Sequence, residues 1–269
     1  MKSIKINKLY KNIFGVATVV FIIKLVALYK QRLVGSIFGI TETLDIFYIL
    51  ILVPFFIQNV FIGSFKAVFI PNYIRANNED RVYFRNNLFI LGILFSLLLV
   101  LIFYLITNPI NLFLAKNYSN FVSKTVFSFQ NLFLICIPFW VLIAILSGLL
   151  DIKKRFSISA SYPIINSISI ICFLLFYEQS IKSMVFGYIF GTFFEFFYLL
   201  YFQSIKIDFN KIKLNHNSSI ILYKQFFPKL LSSLIIGINP IVDQIFCSQL
   251  ALGAISAINY GNKIPAFAL

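Results

Sequence analysis

The chain has 269 residues, 60% of them hydrophobic and 12% charged, with a formal charge of +14. That balance is too apolar for one water-soluble core, and a basic excess speaks for nucleic acid only when it gathers on a soluble face, which this one does not. A transmembrane β-barrel is excluded as well, because runs such as Leu88 to Ile106 are apolar on every side instead of alternating.

A bilayer core about 30 Å thick takes roughly 20 apolar residues per helix. Eight such spans are predicted, at 13–29, 44–70, 87–107, 126–150, 158–177, 181–203, 226–250 and from 253 to the end. The expected fold is an all-α integral membrane protein, a polytopic helix bundle. The last span stops at Leu269 with no polar flank, which predicts a fragment.

The first span follows Lys2, Lys5, Lys8 and Lys11, and no small-residue cleavage site follows Val20 to Leu28, so it reads as a retained helix and not as a signal peptide. It holds Lys24, about 10 Å from the outer boundary at 1.5 Å rise per residue. Ionisable groups inside a span are costly and are functional candidates by default; snorkelling to the interface is the other reading of Lys24. Gln31 lies one heptad further on the same face.

The second span is interrupted by Pro54 and then carries Gln58, Asn59, Gly63 and Ser64. It is predicted to kink and to face other helices or water, although Asn59 and Gly63 also suit packing through small residues. Lys66, near the end of this helix, reads as a snorkelling anchor. Glu195 stands alone in the sixth span; a buried neutral acid, a proton carrier and a partner for a lysine are all open.

Residues 204–225 are polar and basic, and read as a cytoplasmic linker between a first six-helix bundle at 1–203 and the first two helices of a second at 226–269. In the seventh span Lys229, Ser232, Ile236, Asn239 and Asp243 recur every three or four residues around Pro240. The stripe either lines a cavity or makes interhelical hydrogen bonds. Lys263 in the eighth span pairs with Asp243 or remains available to an anion.

Fourteen of the 23 Lys and Arg fall on one set of alternate connections, among them Arg75, Arg81, Arg85, Lys153, Lys154 and Arg155. Five, including Lys30 and Arg32, fall on the opposite connections. The positive-inside rule makes the richer side cytoplasmic, with the N-terminus there and the protein in a bacterial cytoplasmic membrane. The three cysteines, Cys136, Cys172 and Cys247, lack metal-ligand spacing. The single His216 lies in the linker, the acidic pair Glu79-Asp80 lies on the cytoplasmic side, and no phosphate-binding glycine loop is present. No enzymatic chemistry, cofactor or metal is expected. A drug or small-cation exporter would want acidic residues in its cavity, and only Asp45, Asp243 and Glu195 lie near the membrane; a membrane glycan-processing enzyme ranks below it.

A weak internal repeat is visible. Phe38-Gly39 precedes Asp45 by the same interval at which Leu252-Gly253 precedes Asn259, each at an outer connection. A cavity holding Lys24, Lys30 and Lys263 suits a phosphate or diphosphate head group, which must exchange its hydration for protein charge.

In Phe38-Gly39, Asp45, Pro54, Gly63-Ser64-Phe65 and Phe69-Ile70-Pro71, then in Gly148-Leu149-Leu150-Asp151, Arg155-Phe156-Ser157-Ile158, Pro163 and Asn166, and again in Asp243, Gly253, Ser256, Tyr260 and Pro265, the chain resembles the MviN-type lipid II flippases and related polysaccharide flippases. These belong to the multidrug/oligosaccharidyl-lipid/polysaccharide exporter superfamily, and the resemblance runs the length of the chain. It implies two six-helix bundles around a central cavity and alternating access, moving a polyprenyl-diphosphate-linked oligosaccharide (lipid II, or an O-antigen or capsule repeat unit) to the outer leaflet. The expected substrate site is Lys24, Lys30 and Lys263, which the resemblance matches to cavity positions, together with Asp45, Gln58, Asn59, Asn239 and Asp243 from the reading of the spans, with Glu195 available for ion coupling. Lysines stand where the family has cavity arginines, Lys30-Gln31 where it has Arg-Asp, and Gln58-Asn59 where it has two basic residues. The implied partners are the lipid-linked glycan, membrane lipid, and a polysaccharide polymerase or the cell-wall synthesis machinery; no nucleic acid is expected.

Overall fold

The structure is a computed structural model and describes residues 2–203 and 217–262. It is helical throughout: α1 (Lys2–Phe38), α2 (Glu42–Arg75), α3 (Asn78–Leu114), α4 (Asn120–Phe127), α5 (Leu132–Ile152), α6 (Phe156–Ser161), α7 (Pro163–Phe176), α8 (Ile181–Gln203), α9 (Asn217–Gly237), α10 (Asn239–Cys247) and α11 (Ala254–Gly261). Seven stretches among the described residues are long and apolar enough to cross a membrane, with α6–α7 and α9–α10 each acting as one span. The chain is therefore a polytopic helical membrane protein. Arg75, Arg81, Arg85 and Lys153 to Arg155 gather at one end of the bundle, called the basic end below.

Local chemistry sets the helix limits. Thr41 caps α2 from an extended backbone, its hydroxyl accepting the Leu44 amide at 3.4 Å, and Glu42 and Asp45 place negative charge in the first turn. Pro163 and Pro240 lack the N–H that would carry α6 into α7 and α9 into α10, so both spans break there. Lys153 and Arg155 satisfy the C-terminal carbonyls of α8: the Lys153 ammonium donates to Gln203 O at 2.9 Å and Oε1 at 2.7 Å, and Arg155 donates to Phe202 O at 3.1 Å. Burial, then the charges of Arg155 and Arg85, holds the Lys153 ammonium below the usual lysine range.

The core lies between α2 and α5. Leu44 to Pro54 of α2 are all buried, as are Phe133, Ile137, Trp140 and Val141 on α5. Against this pair lie α3, α8 and α9, with α7 on α8 and α1 on α6 and α7. Contact between α7 and α8 is backbone-close: a Cβ added at Gly187 or Gly191 would stand 2.7 Å from the Ile170 Cα or 2.8 Å from the Asn166 Cα. This small-xxx-small pair lets the two helices gain dispersion contacts that lipid cannot supply. The outer face of α3 exposes Leu94, Leu97, Leu98, Leu101 and Leu105, an apolar face that only lipid would cover without penalty.

The sequence expectations need three adjustments. The first span runs to Phe38 instead of ending at residue 29, because no helix breaker occurs before Gly39; Lys30 and Arg32, assigned to a connection, are inside α1. The fourth span starts at Leu132, and residues 126–131 belong to the end of α4 and a turn. Of the eighth span only α11 is described, and α9 begins at Asn217, within the segment read as a linker, whose residues 204–216 lie outside the described residues.

Candidate functional site

A cavity of about 750 Å³ opens between α1, α2, α7, α8 and α10, a size in the range of small-molecule sites. Apolar side chains form most of its wall, with Lys30 and Gln31 from α1, Gln58 and Asn59 from α2, Asn166 and Ser167 from α7, Glu195 from α8, Gln244 from α10 and Asn259 from α11 among the polar members. The Tyr188 hydroxyl donates to Gln58 Oε1 at 2.7 Å, Gln31 donates to the Tyr48 hydroxyl at 3.2 Å, and Asn166 Nδ2 donates to Tyr188 O at 3.1 Å. These bonds fix the amides against the wall. Glu195 is 2% exposed, its Oε2 has no hydrogen-bond partner among the described residues, and Lys30 shares the cavity wall with it.

At the end of the bundle away from the basic end, Asp45 is fully buried and ties α2 to α11. Its Oδ2 accepts from the Gly253 amide at 2.6 Å and the Tyr118 hydroxyl at 3.1 Å; its Oδ1 accepts from the amide and hydroxyl of Ser256 at 2.7 and 2.5 Å. The carboxylate thus satisfies free amides at the N-terminus of α11, where the helix dipole favours negative charge. Tyr260 returns the contact by donating to Gly39 O at 3.0 Å. Gly39 and Gly253 both have left-handed backbones, with φ of 60° and 92°. Burial first, then the Asp45 charge, pushes the Tyr118 phenol well above its ordinary range.

The basic end carries a second set of ties. Lys66 forms an ion pair with Asp151 at 3.1 Å and donates to Ser159 at 3.4 Å, and Ser159 passes the bond to Ser147 O at 3.1 Å. Here α2 meets α5 and α6. Asn72 Nδ2 donates to Gln225 Oε1 at 2.7 Å, an exposed bond between α2 and α9, above a cluster in which Phe226 packs on Phe61 and Phe95. The cavity therefore lies between ties at both ends.

Lys30, Gln58, Asn59 and Glu195 come together on the cavity wall. Lys24 is on α1 but not on that wall. Asp45 has both carboxylate oxygens engaged in the α2–α11 tie and is not on that wall. Asn239 and Asp243 are exposed and are not on the cavity wall, which takes Ile236, Pro240, Ile241 and Gln244 from the adjacent face of the same span. Lys263 lies outside the described residues. Lys66 is not the snorkelling anchor expected of it but half of an internal ion pair. Tyr188, Asn166 and Gln244 were missed. Tyr188 sits one heptad before Glu195, a spacing that could have found it, while Gln244 carried no signal once the stripe was drawn through Asp243.

The chain matches the family model described as lipid II flippase MurJ over residues 34–269. It is 30% identical over 276 aligned positions to the probable lipid II flippase MurJ of Buchnera aphidicola subsp. Acyrthosiphon pisum, covering 96% of this chain and 53% of that protein. It is 29% identical over 194 positions to the lipid II flippase MurJ of Thermosipho africanus, covering 70% of this chain and 40% of the relative. A solved structure titled as lipid II flippase MurJ in an inward closed conformation superposes with a TM-score of 0.79 at 24% identity, covering 93% of this chain and 54% of that one. The chain spans about half the length of the curated relatives it matches. With the family model covering most of its residues, the chain belongs to the lipid II flippase MurJ family.

Proposed function

We propose that this chain supplies the first bundle and the start of the second of a flippase that carries a polyprenyl-diphosphate-linked oligosaccharide, lipid II foremost, from the cytoplasmic to the outer leaflet of a bacterial cytoplasmic membrane. The basic end faces the cytoplasm, in line with the excess of Lys and Arg there. The observation that carries the reading is Lys30 on the wall of an interhelical cavity, flanked by the amides of Gln58, Asn59 and Gln244. A diphosphate leaving water needs cationic and N–H donors in place of its hydration; lysine offers a mobile point charge where arginine would grip two oxygens at once. Amides set beside it suit sugar hydroxyls. Lys24 and Lys263 are the further cations of the substrate path.

Transport needs no bond made or broken by the protein, only that the ties at the two ends open in turn. Release of the Asp45–α11 tie exposes the cavity to the outer side; release of Asn72–Gln225 exposes it to the cytoplasm. The cell-wall synthesis machinery is the natural recipient of the product.

The test expresses the complete gene in cells depleted of their own lipid II flippase and scores growth, with membrane insertion followed in parallel. Rescue supports lipid II as the cargo. Failure by a well-inserted protein overturns it and points to a surface-polysaccharide repeat unit.

A further inference from the structure

Among the described residues, Glu195 is the one acid on the cavity wall. It is 2% exposed, and its Oε2 has no hydrogen bond among the described residues. An ionised carboxylate in such a place costs several kcal/mol unless a charge balances it, and a proton is the usual substitute. Each element packed around it contributes an identifiable neighbour. The α6–α7 break contributes Tyr162 and α8 itself Tyr188, both on the cavity wall with Glu195, and α5 contributes the buried Cys136. α7 offers the Asn166 backbone as a hydrogen-bond donor, and α1 offers Lys30. The thiol and the two phenols can only add negative charge. Among the described residues Lys30 is the cation that shares the cavity wall with Glu195, and it is also the cation that the proposed function gives to the diphosphate.

We propose that Glu195 and Lys30 form a proton-exchange pair: when the diphosphate draws the Lys30 ammonium to itself, the Glu195 carboxylate takes up one proton from water in the cavity, and gives it back when the ligand leaves. This rests on the reading of the cavity as a diphosphate site. The balance is simple. Before binding, one ammonium faces one carboxylate. Afterwards the ammonium faces the phosphate oxygens and the carboxyl is neutral, an O–H bond to Glu195 having formed at the expense of a hydronium or water O–H. Without the proton, two phosphate charges would join an uncompensated carboxylate in a low-dielectric wall. Because the bound state holds the extra proton, binding strengthens as pH falls and weakens as it rises.

The experiment is calorimetric titration of the full-length protein, in detergent, with farnesyl-diphosphate-linked N-acetylglucosamine. Both phosphates of this diester stay ionised across the working range, so the ligand contributes no proton of its own. Measured in buffers of different ionisation enthalpy over a series of pH values, wild type is expected to take up close to one proton per ligand at its maximum. Its affinity is expected to fall by up to about tenfold per pH unit through that window. Glu195→Gln is expected to bind without uptake and without the pH slope. Lys30→Gln, which removes the counter-charge beforehand, is expected to bind more weakly and also without uptake, and it serves should Glu195→Gln not fold. Wild-type binding with no proton uptake at any pH overturns the proposal while leaving the diphosphate site standing, as does uptake that persists in Glu195→Gln. Absence of wild-type binding overturns both.

Discussion

The carboxylate of Asp45 and the amide of Gly253 meet at 2.6 Å although 208 residues separate them. The first turn of α2 thus caps the N-terminus of α11, and the two glycine-led repeats face one another across this contact. Asp45→Ala leaves the Gly253 and Ser256 amides and the Tyr118 hydroxyl without their acceptor. A loss of about 2–4 kcal/mol is expected, since hydrogen bonds to a charged group are worth about 1.5–3 kcal/mol each before relaxation. Thermal unfolding of the purified full-length protein measures it; a midpoint unchanged from wild type would show that the tie carries no stability.

Gly253 should tolerate no side chain. Its φ of 92° disfavours one, and a Cβ there would stand 2.3 Å from the Ile40 Cγ2. Gly253→Ala is expected to lower the melting temperature and reduce flipping, whereas Gly261→Ala, where a Cβ meets nothing within 4 Å in a helical backbone, should do neither. Paired melting curves and flipping assays separate the two.

The Lys66–Asp151 pair joins α2 to α5 at 3.1 Å with side chains 23% and 19% exposed. That places it between surface pairs, worth under about 1 kcal/mol, and fully buried ones, whose disruption costs about 3–5 kcal/mol. A double-mutant cycle with Lys66→Met and Asp151→Leu is expected to give a coupling of about 1–2 kcal/mol. Additive single effects would remove the pair from the account of stability.

Alkaline pH should act through Tyr118, which must keep its proton to donate to Asp45. Burial and the Asp45 charge raise the phenol in the folded protein. The folded state therefore holds a proton that the unfolded state loses, and stability falls as pH rises above the ordinary tyrosine value of about 10. Tyr118→Phe is expected to be less stable near neutrality but to lose less on going alkaline. Melting temperature against pH for both proteins is the check, and parallel curves would contradict it.

Lys30→Gln is expected to weaken diphosphate capture by about 10–100-fold, the loss of a charge-assisted hydrogen bond of roughly 1.5–3 kcal/mol, and Lys30→Arg to restore it. Binding of the farnesyl-linked ligand reads this directly. Equal affinity in Lys30→Gln would take Lys30 out of the site.

The helices were legible because apolar length is a local property. Gln58, Asn59 and Glu195 stood out because polar groups inside a span have few places to go, and they line one cavity with Lys30, which the sequence pattern puts in a connection. The partner of each residue was not legible. Nothing around Lys66 indicates Asp151, 85 residues away, and nothing around Asp45 indicates that it serves a helix terminus instead of a ligand. The Asn239–Asp243 stripe picked the neighbouring face of the span; the cavity receives Ile236, Pro240 and Gln244, which share one face at helical spacing.

α2 holds one end of the cavity through Asp45 and the other through Asn72, and between them Pro54 deprives the Leu50 carbonyl of its helical donor. Mechanically it is a beam pinned near both tips with a joint set off centre, about 13 Å from one pin and about 27 Å from the other at 1.5 Å per residue. A given rotation at that joint moves the Asn72 tip roughly twice as far as the Asp45 tip. The longer arm ends at the exposed Asn72–Gln225 bond and the shorter at the buried Asp45 carboxylate, so a bend at that joint would load the exposed tie more than the buried one.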